Sequence, residues 1–119
     1  MNHQKSGRRK LNVKSSHKRS LLRNQVIHLI TYGHLVSTKA NIKETQRFAE
    51  RLVTLARKGN HFNARRHVKS LLPYKEDAIK KLFFEIAPRY TERPGGYTRT
   101  IPMGIRVSDT ARIARLEWV

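Results

Sequence analysis

Forty-three residues pass before the first carboxylate of the chain, Glu44, and those forty-three contain ten Lys or Arg. A segment built this way cannot neutralise itself through internal ion pairs, and folding it alone would crowd like charges together. The bias extends to the whole sequence, in which 26 Lys plus Arg stand against 8 Asp plus Glu, a formal net charge of +18 over 119 residues. Such a chain either stays expanded or finds a polyanion, and with 38% hydrophobic residues it holds too much apolar material to be disordered throughout. One domain with a modest core and a phosphate-rich partner satisfies both constraints.

Several classes fall away at once. The absence of cysteine removes disulfides, thiolate metal sites and cysteine nucleophiles, and fits a reducing compartment. The longest apolar stretch, residues 21–30, is broken by Arg23, Asn24, Gln25 and His28, and it is well short of the ~20 residues that cross a bilayer. The start lacks the apolar centre of a secretory signal, although an acid-free beginning rich in Arg and Ser has the composition of an organelle transit peptide.

Residues 1–15 carry Lys5, Arg8, Arg9, Lys10 and Lys14 with little aliphatic content, so they read as an extended basic arm. A first helix is expected from Ser16, as N-cap, to Tyr32, with Leu22, Val26, Leu29 and Ile30 on its buried face and Gly33 as its stop. A short strand over 34–37 follows. Thr38 or Asn41 then caps a long helix, Asn41 and Glu44 having the capping-box spacing. Thr45, Ala49, Leu52 and Ala56 form its core stripe beside Phe48 and Leu55, and Gly59 ends it. Asn60 is expected to cap a third helix through Leu72 that buries Ala64, Val68 and Leu71, with Leu72 a further candidate, and stops at Pro73. A fourth, from Lys75, opens with Glu76 and Asp77, buries Ile79, Leu82, Phe83 and Ile86, and ends at Pro88. Residues 97–107 alternate Ile101, Met103 and Ile105 with Thr100, Pro102 and Gly104, and Pro102 marks an edge strand or a bulge. The last segment, 112–119, with Ala114, Leu116 and Trp118 on one face, pairs with it as a hairpin. The expected fold is α/β of the α+β kind: four helices packed on one face of a small three-stranded sheet, with 1–15 as arm and 16–119 as a single globular domain.

Three basic constellations are candidates for phosphate binding. The first joins the arm (Lys5, Arg8, Arg9, Lys10, Lys14) to the helix start (His17, Lys18, Arg19, Arg23). Cations at a helix N-terminus oppose its dipole unless an anion lies nearby. The second is Arg65, Arg66 and Lys69 on the third helix, close in sequence to Arg57 and Lys58; solvated helical charge is an equally ordinary reading. The third is the loop Arg93-Pro94-Gly95-Gly96-Tyr97-Thr98-Arg99, whose glycines permit close backbone approach and whose Tyr97 is placed to stack on a base, unless the segment is a plain turn. Catalytic patterns are weaker. The six histidines, His3, His17, His28, His34, His61 and His67, show no metal-ligand spacing. With Glu44, Glu76 and Asp77 assigned to helix starts, no carboxylate pair is left for magnesium.

The words of the sequence also carry a resemblance. His3, Lys5-Ser6-Gly7-Arg8, Leu11-Asn12, Ser15-Ser16-His17-Lys18 and Arg23-Asn24 resemble the opening of the bacterial large-ribosomal-subunit protein seventeen family. Ser37-Thr38-Lys39-Ala40 leading to Leu52-Val53-Thr54-Leu55-Ala56, and Lys81-Leu82-Phe83 through Gly95-Gly96-Tyr97-Thr98-Arg99, are similar to the same family in the same order. The resemblance implies a small mixed sheet, no catalysis, no cofactor, metal, membrane or small-molecule substrate, and binding to large-subunit ribosomal RNA near the polypeptide exit region beside neighbouring ribosomal proteins. Since it reaches back to His3, it implies that the basic start belongs to the working protein of a cytoplasmic ribosome, an organellar ribosome staying open. Two other classes compete. A DNA-binding helix-turn-helix around Gly59 would read with Arg65, Arg66 and Lys69, and an RNA-processing enzyme would need an acid or metal cluster.

Overall fold

The computed structural model describes residues 11, 14–59, 61–73 and 75–119. Most of the expected arm, and the expected cap Asn60, therefore lie outside the described residues.

Helix α1 (Ser15–Tyr32) buries Leu22, Val26, Leu29 and Ile30, the expected stripe, and terminates at Gly33 with φ 83°, whose N–H bonds to the Leu29 carbonyl. Its start differs from expectation. Lys14 occupies the N-cap and makes no side-chain cap bond, while Ser16 lies one residue inside the helix. Strand β1 (His34–Thr38) follows directly, and Thr38 caps α2 (Lys39–Ala56) by accepting the Asn41 N–H at 3.4 Å. Asn41 thus lies inside the helix, and the expected Asn41–Glu44 capping box has no helix start to close. Glu44 turns inward instead, buried, with the Lys18 ammonium 4.0 Å away. Thr45, Ala49, Leu52 and Ala56 are buried as expected, joined by Ile42 and Val53.

Helix α3 (Phe62–Leu71) buries Val68, with Leu72 just beyond its end, while Ala64 and Leu71 are half-buried. Helix α4 (Glu76–Lys81) carries its two acids in the first turn and then changes pitch. Residues Leu82–Ile86 widen into a π turn and Ala87–Tyr90 tighten into a 3₁₀ turn. Pro88 thus does not end the helical run. A proline ring collides with the carbonyl four residues back in an α-helix. Here the Ala87 N–H reaches back to Leu82, and Pro88 sits at the start of the 3₁₀ turn, where no N–H is required of it.

Strands β2 (Thr98–Ile105) and β3 (Arg112–Trp118) pair as the expected hairpin. The sheet order is β1-β3-β2 and both pairings are antiparallel, so the sheet is antiparallel throughout and not mixed. Mixed pairing would require a crossover that brings a strand back in the same direction. The helices between β1 and β2 do bring β2 back in the direction of β1, but β3 lies between the two and runs opposite to both. Pro102 holds both of its suggested roles, lying on an edge strand and at a bulge between residues 102 and 104. Beyond the bulge the alternation of 101–107 does not translate into burial: Met103, Ile105 and Val107 are exposed.

Helix α2 lies across all three strands, with α1 and α3 against it and α4 against both of those. The core side of the sheet offers Leu35, Ala114, Leu116 and Thr98, and the far side carries Val36 and Arg99 in the open with Glu117 half-buried beside Arg99. Polar groups inside are matched: the Thr45 hydroxyl donates to the Gln25 side chain of α1, and Glu50 accepts both the backbone N–H (3.2 Å) and the hydroxyl (2.8 Å) of Thr98. Leu52 is wholly buried where α2 meets the core. Leu52→Ala is expected to cost about 2–5 kcal/mol, because a close-packed site collapses only in part around the cavity. Denaturant unfolding of the two proteins measures this, and a loss under ~1 kcal/mol would mean Leu52 is not central to the packing.

Candidate nucleic-acid interface

The uneven charge becomes a spatial arrangement once the carboxylates are traced. Glu44 is buried beside Lys18, and Glu50 is taken by Thr98. Glu76 pairs with Lys69 at 3.1 Å, and Glu117 lies 2.8 Å from Arg99 and 3.2 Å from Arg115. Asp109 takes two bonds from Arg106, at 2.9 and 2.6 Å, across the β2–β3 turn. The Arg106 guanidinium and the Ala111 N–H hold the Asp109 carboxyl down at about 2, and Arg99 acts in the same direction on Glu117. Five of the eight acids are thus committed to internal partners, while cations remain at the surface.

At the start of α1, Lys14, His17 and Arg19 are exposed in a turn that holds no acid and has no side-chain cap. Lys18 is half-buried toward Glu44. Arg23 has a structural duty, since its Nε donates to the carbonyl of Leu71 at 3.3 Å and so caps the end of α3. Among the candidate residues of this constellation, Lys5, Arg8, Arg9 and Lys10 lie outside the described residues.

The second constellation assembles on one face. Arg65, Arg66 and Lys69 are all exposed and line a groove of about 350 Å³ together with Phe62, Glu76 and Ile79. Phe62 is the residue that sequence reasoning missed. Its signal was available as an aromatic three, four and seven positions ahead of cations, a spacing that places all four on one side of a helix.

The loop before β2 is a built turn. Gly95 and Gly96 take φ of 149° and 64°, left-handed values that side chains resist. Arg93 donates to the Gly96 carbonyl at 3.3 Å and places its guanidinium 5.9 Å from the Tyr90 ring centre. Arg57, at the end of α2, donates to the Arg93 carbonyl and, at 3.0 Å, to the Tyr97 hydroxyl. Tyr97 is only 1% exposed, with its ring 5.2 Å from that of Tyr90. The expectation that Tyr97 stacks on a base is therefore corrected: its ring is packed inside the protein, and it anchors the loop from within. Arg93 and Arg99 stay exposed on either side of it, Arg99 held by Glu117.

Among the described residues, no group of three or more His, Asp or Glu is placed to hold a metal ion, and no helix is long and apolar enough to cross a membrane. The whole defines a class: a small α/β scaffold that pairs most of its acids with its own groups and leaves a surplus of cations in solvent, the charge plan of polyanion-binding domains. Residues 21–119 match the family described as ribosomal protein L17, and the chain belongs to that family. It is 44% identical to large ribosomal subunit protein bL17 of Desulforudis audaxviator, over 95% of this chain and 99% of that one. It is 45% identical to the protein of that name from Clostridium acetobutylicum, over 96% and 98%, and 44% identical to that from Borrelia turicatae, over 97% and 91%. As a member of a ribosomal-protein family the chain is a structural component of the ribosome, a cytoplasmic particle, and not an enzyme.

Two outcomes are expected from this geometry. Gly96→Val forces a β-branched residue to φ near 64° in otherwise open space, so backbone strain alone should lower stability by about 1–3 kcal/mol. An unchanged thermal melt would show that the turn relaxes freely. For Asp109 the folded carboxyl titrates below its ordinary value of 3.8, so its stabilising contribution is complete above about pH 4 and is lost as pH falls toward 2. Melts of the wild type and Asp109→Asn should differ at pH 6 and converge near pH 2, and a gap independent of pH would contradict the pairing.

Proposed function

We propose that the chain is a structural constituent of the large ribosomal subunit, binding large-subunit ribosomal RNA through its basic arm and its basic helical and loop surfaces and so supporting subunit assembly and translation. The observation that carries this reading is the disposition of charge: a net +18 in which the acids are largely consumed by internal partners. Phosphate is the partner chemistry that relieves such a surface, and relatives of near-equal length are named large ribosomal subunit proteins.

The α1 start, with Lys14, His17 and Arg19 around uncapped backbone N–H groups, offers side-chain and main-chain donors to the same RNA strand. Lys18 and Arg23 contribute from partly structural positions. Arg65, Arg66 and Lys69 form a second contact region, and Arg93, Gly95, Gly96 and Arg99 a third, in which the packed Tyr97 holds the loop in shape. Lys5, Arg8, Arg9 and Lys10 extend the first region. Neighbouring ribosomal proteins complete the set of partners. A DNA-reading helix-turn-helix is disfavoured, because the cations are spread over three regions rather than concentrated on α3.

The test is a salt titration of affinity for large-subunit ribosomal RNA, comparing the full chain with one lacking residues 1–10. That deletion spares Lys14, whose carbonyl accepts the Lys18 N–H at 2.8 Å and starts α1. It removes Lys5, Arg8, Arg9 and Lys10, so the logarithmic salt slope should shrink by about 0.7 to 0.9 for each phosphate these side chains neutralise, with the thermal melt unchanged. Equal slopes and affinities in the two chains would exclude the arm from the interface, and a salt-insensitive complex of the full chain would sink the reading as a whole.

A further inference from the structure

The groove between α3 and α4 combines two things that phosphate neutralisation alone does not need. One is a ring in the open: Phe62, at the first position of α3, is 68% exposed. The other is a recess of about 350 Å³ beside it, lined by Arg65, Arg66, Lys69, Glu76 and Ile79. Leaving a phenyl ring in water forgoes the free energy of burying it, so an exposed aromatic beside a recess is a surface suited to a flat apolar partner. The cations identify that partner. Three cations and one carboxylate surround the ring, a net positive rim, which suits a ligand that is apolar on its faces and anionic at its edge.

We propose that this groove holds an unpaired nucleotide of RNA, its base stacked on Phe62 above the Ile79 side of the recess and its phosphates met by Arg65 and Arg66. The inference rests on the RNA-binding reading above and assigns this region a chemistry of its own. Helical spacing supplies the geometry: Phe62, Arg65, Arg66 and Lys69 stand at i, i+3, i+4 and i+7, so ring and guanidinium groups project from one side of α3 while Val68 points to the core. The Lys69–Glu76 pair at 3.1 Å ties α3 to α4 across the recess. Base stacking on an aromatic ring tolerates any sequence and demands a base out of its helix, so the groove selects single-stranded loops or bulges over duplex. Tyr97, the loop aromatic expected to do this work, is packed inside, whereas Phe62 is an exposed aromatic that lines a recess together with Arg65, Arg66 and Lys69.

The experiment compares wild type, Phe62→Ala and Phe62→Trp, each as the full chain, for affinity to a short oligoadenylate and to an abasic oligonucleotide of the same length at matched salt. Phe62→Ala should weaken oligoadenylate binding about tenfold, leave abasic binding unchanged and keep the salt slope, since only stacking is removed. Phe62→Trp should retain affinity and show quenching of the added indole by adenine, beyond any change of Trp118 seen in the wild type. A thermal melt confirms that the variants fold. Equal effects of Phe62→Ala on the adenylate and abasic strands, or none on either, would overturn the stacking site. So would unchanged RNA affinity alongside loss of binding to another ribosomal protein, the sign of a protein partner in the groove. If the wild type keeps a steep salt dependence in those cases, the RNA-binding function stands without this groove. If the wild type binds neither strand nor ribosomal RNA, both readings fall.

Discussion

Strand β3 is the element on which the rest depends. Among the described residues each of the other strands pairs only with β3, with His34 to Thr38 set against Glu117 to Ile113, and Thr98 to Ile105 set against Trp118 to Arg112. The first pairing joins segments about eighty residues apart, so the sheet closes only when nearly the whole chain is in place. The entropy of that closure rises slowly with length and is offset by burial of Leu35, Ala114 and Leu116 against α2. The end of β3 is fastened as well. Trp118 donates its indole N–H to the Leu29 carbonyl at 3.3 Å, Tyr90 donates its hydroxyl to Val119 at 2.8 Å, and the Val119 N–H bonds to Tyr97 at 2.9 Å.

From this closure follows the placement of charge. The β3 register sets Glu117 beside Arg99, and the β2–β3 turn sets Asp109 beside Arg106, so the acids of these two strands and their turn are consumed by the hairpin that contains them. Thr98 at the head of β2 takes Glu50, and α1 against α2 places Lys18 near Glu44. The carboxylates that the fold pairs with its own groups are not free to offset the remaining cations. Exposed cations remain on α1, α3 and the loop before β2, and also along α2 at Lys39, Lys43 and Arg51 and on α4 at Lys80, and the Arg57–Tyr97 bond holds the loop at the end of α2.

The parts of this that are legible in the sequence share a cause. The stripes Leu22, Val26, Leu29, Ile30 and Thr45, Ala49, Leu52, Ala56 follow from helical period alone, and the Gly33 stop and the Pro102 edge follow from backbone chemistry within a few residues. What does not show depends on distant partners. Glu44 has the spacing of a capping residue, and only the approach of α1 makes it a buried acid. Tyr97 lies between glycines and arginines like a loop aromatic, yet Tyr90 and Arg57, seven and forty residues earlier, enclose it. Pro88 has the look of a stop, because a widening of the preceding turn leaves no mark in a one-dimensional pattern. Phe62 escapes notice for the opposite reason: an isolated aromatic at a helix start looks like core until the tertiary packing leaves it outside.

The central claim is that this charge plan serves attachment to the large ribosomal subunit. Sedimentation of a cell extract containing the tagged chain tests it most directly. At low salt the chain should travel with the large-subunit particle, and raising the salt should strip it progressively to the top of the gradient while the particle stays intact. A chain that sediments as a free dimer at low salt, with none in the large-subunit fractions, would contradict the account.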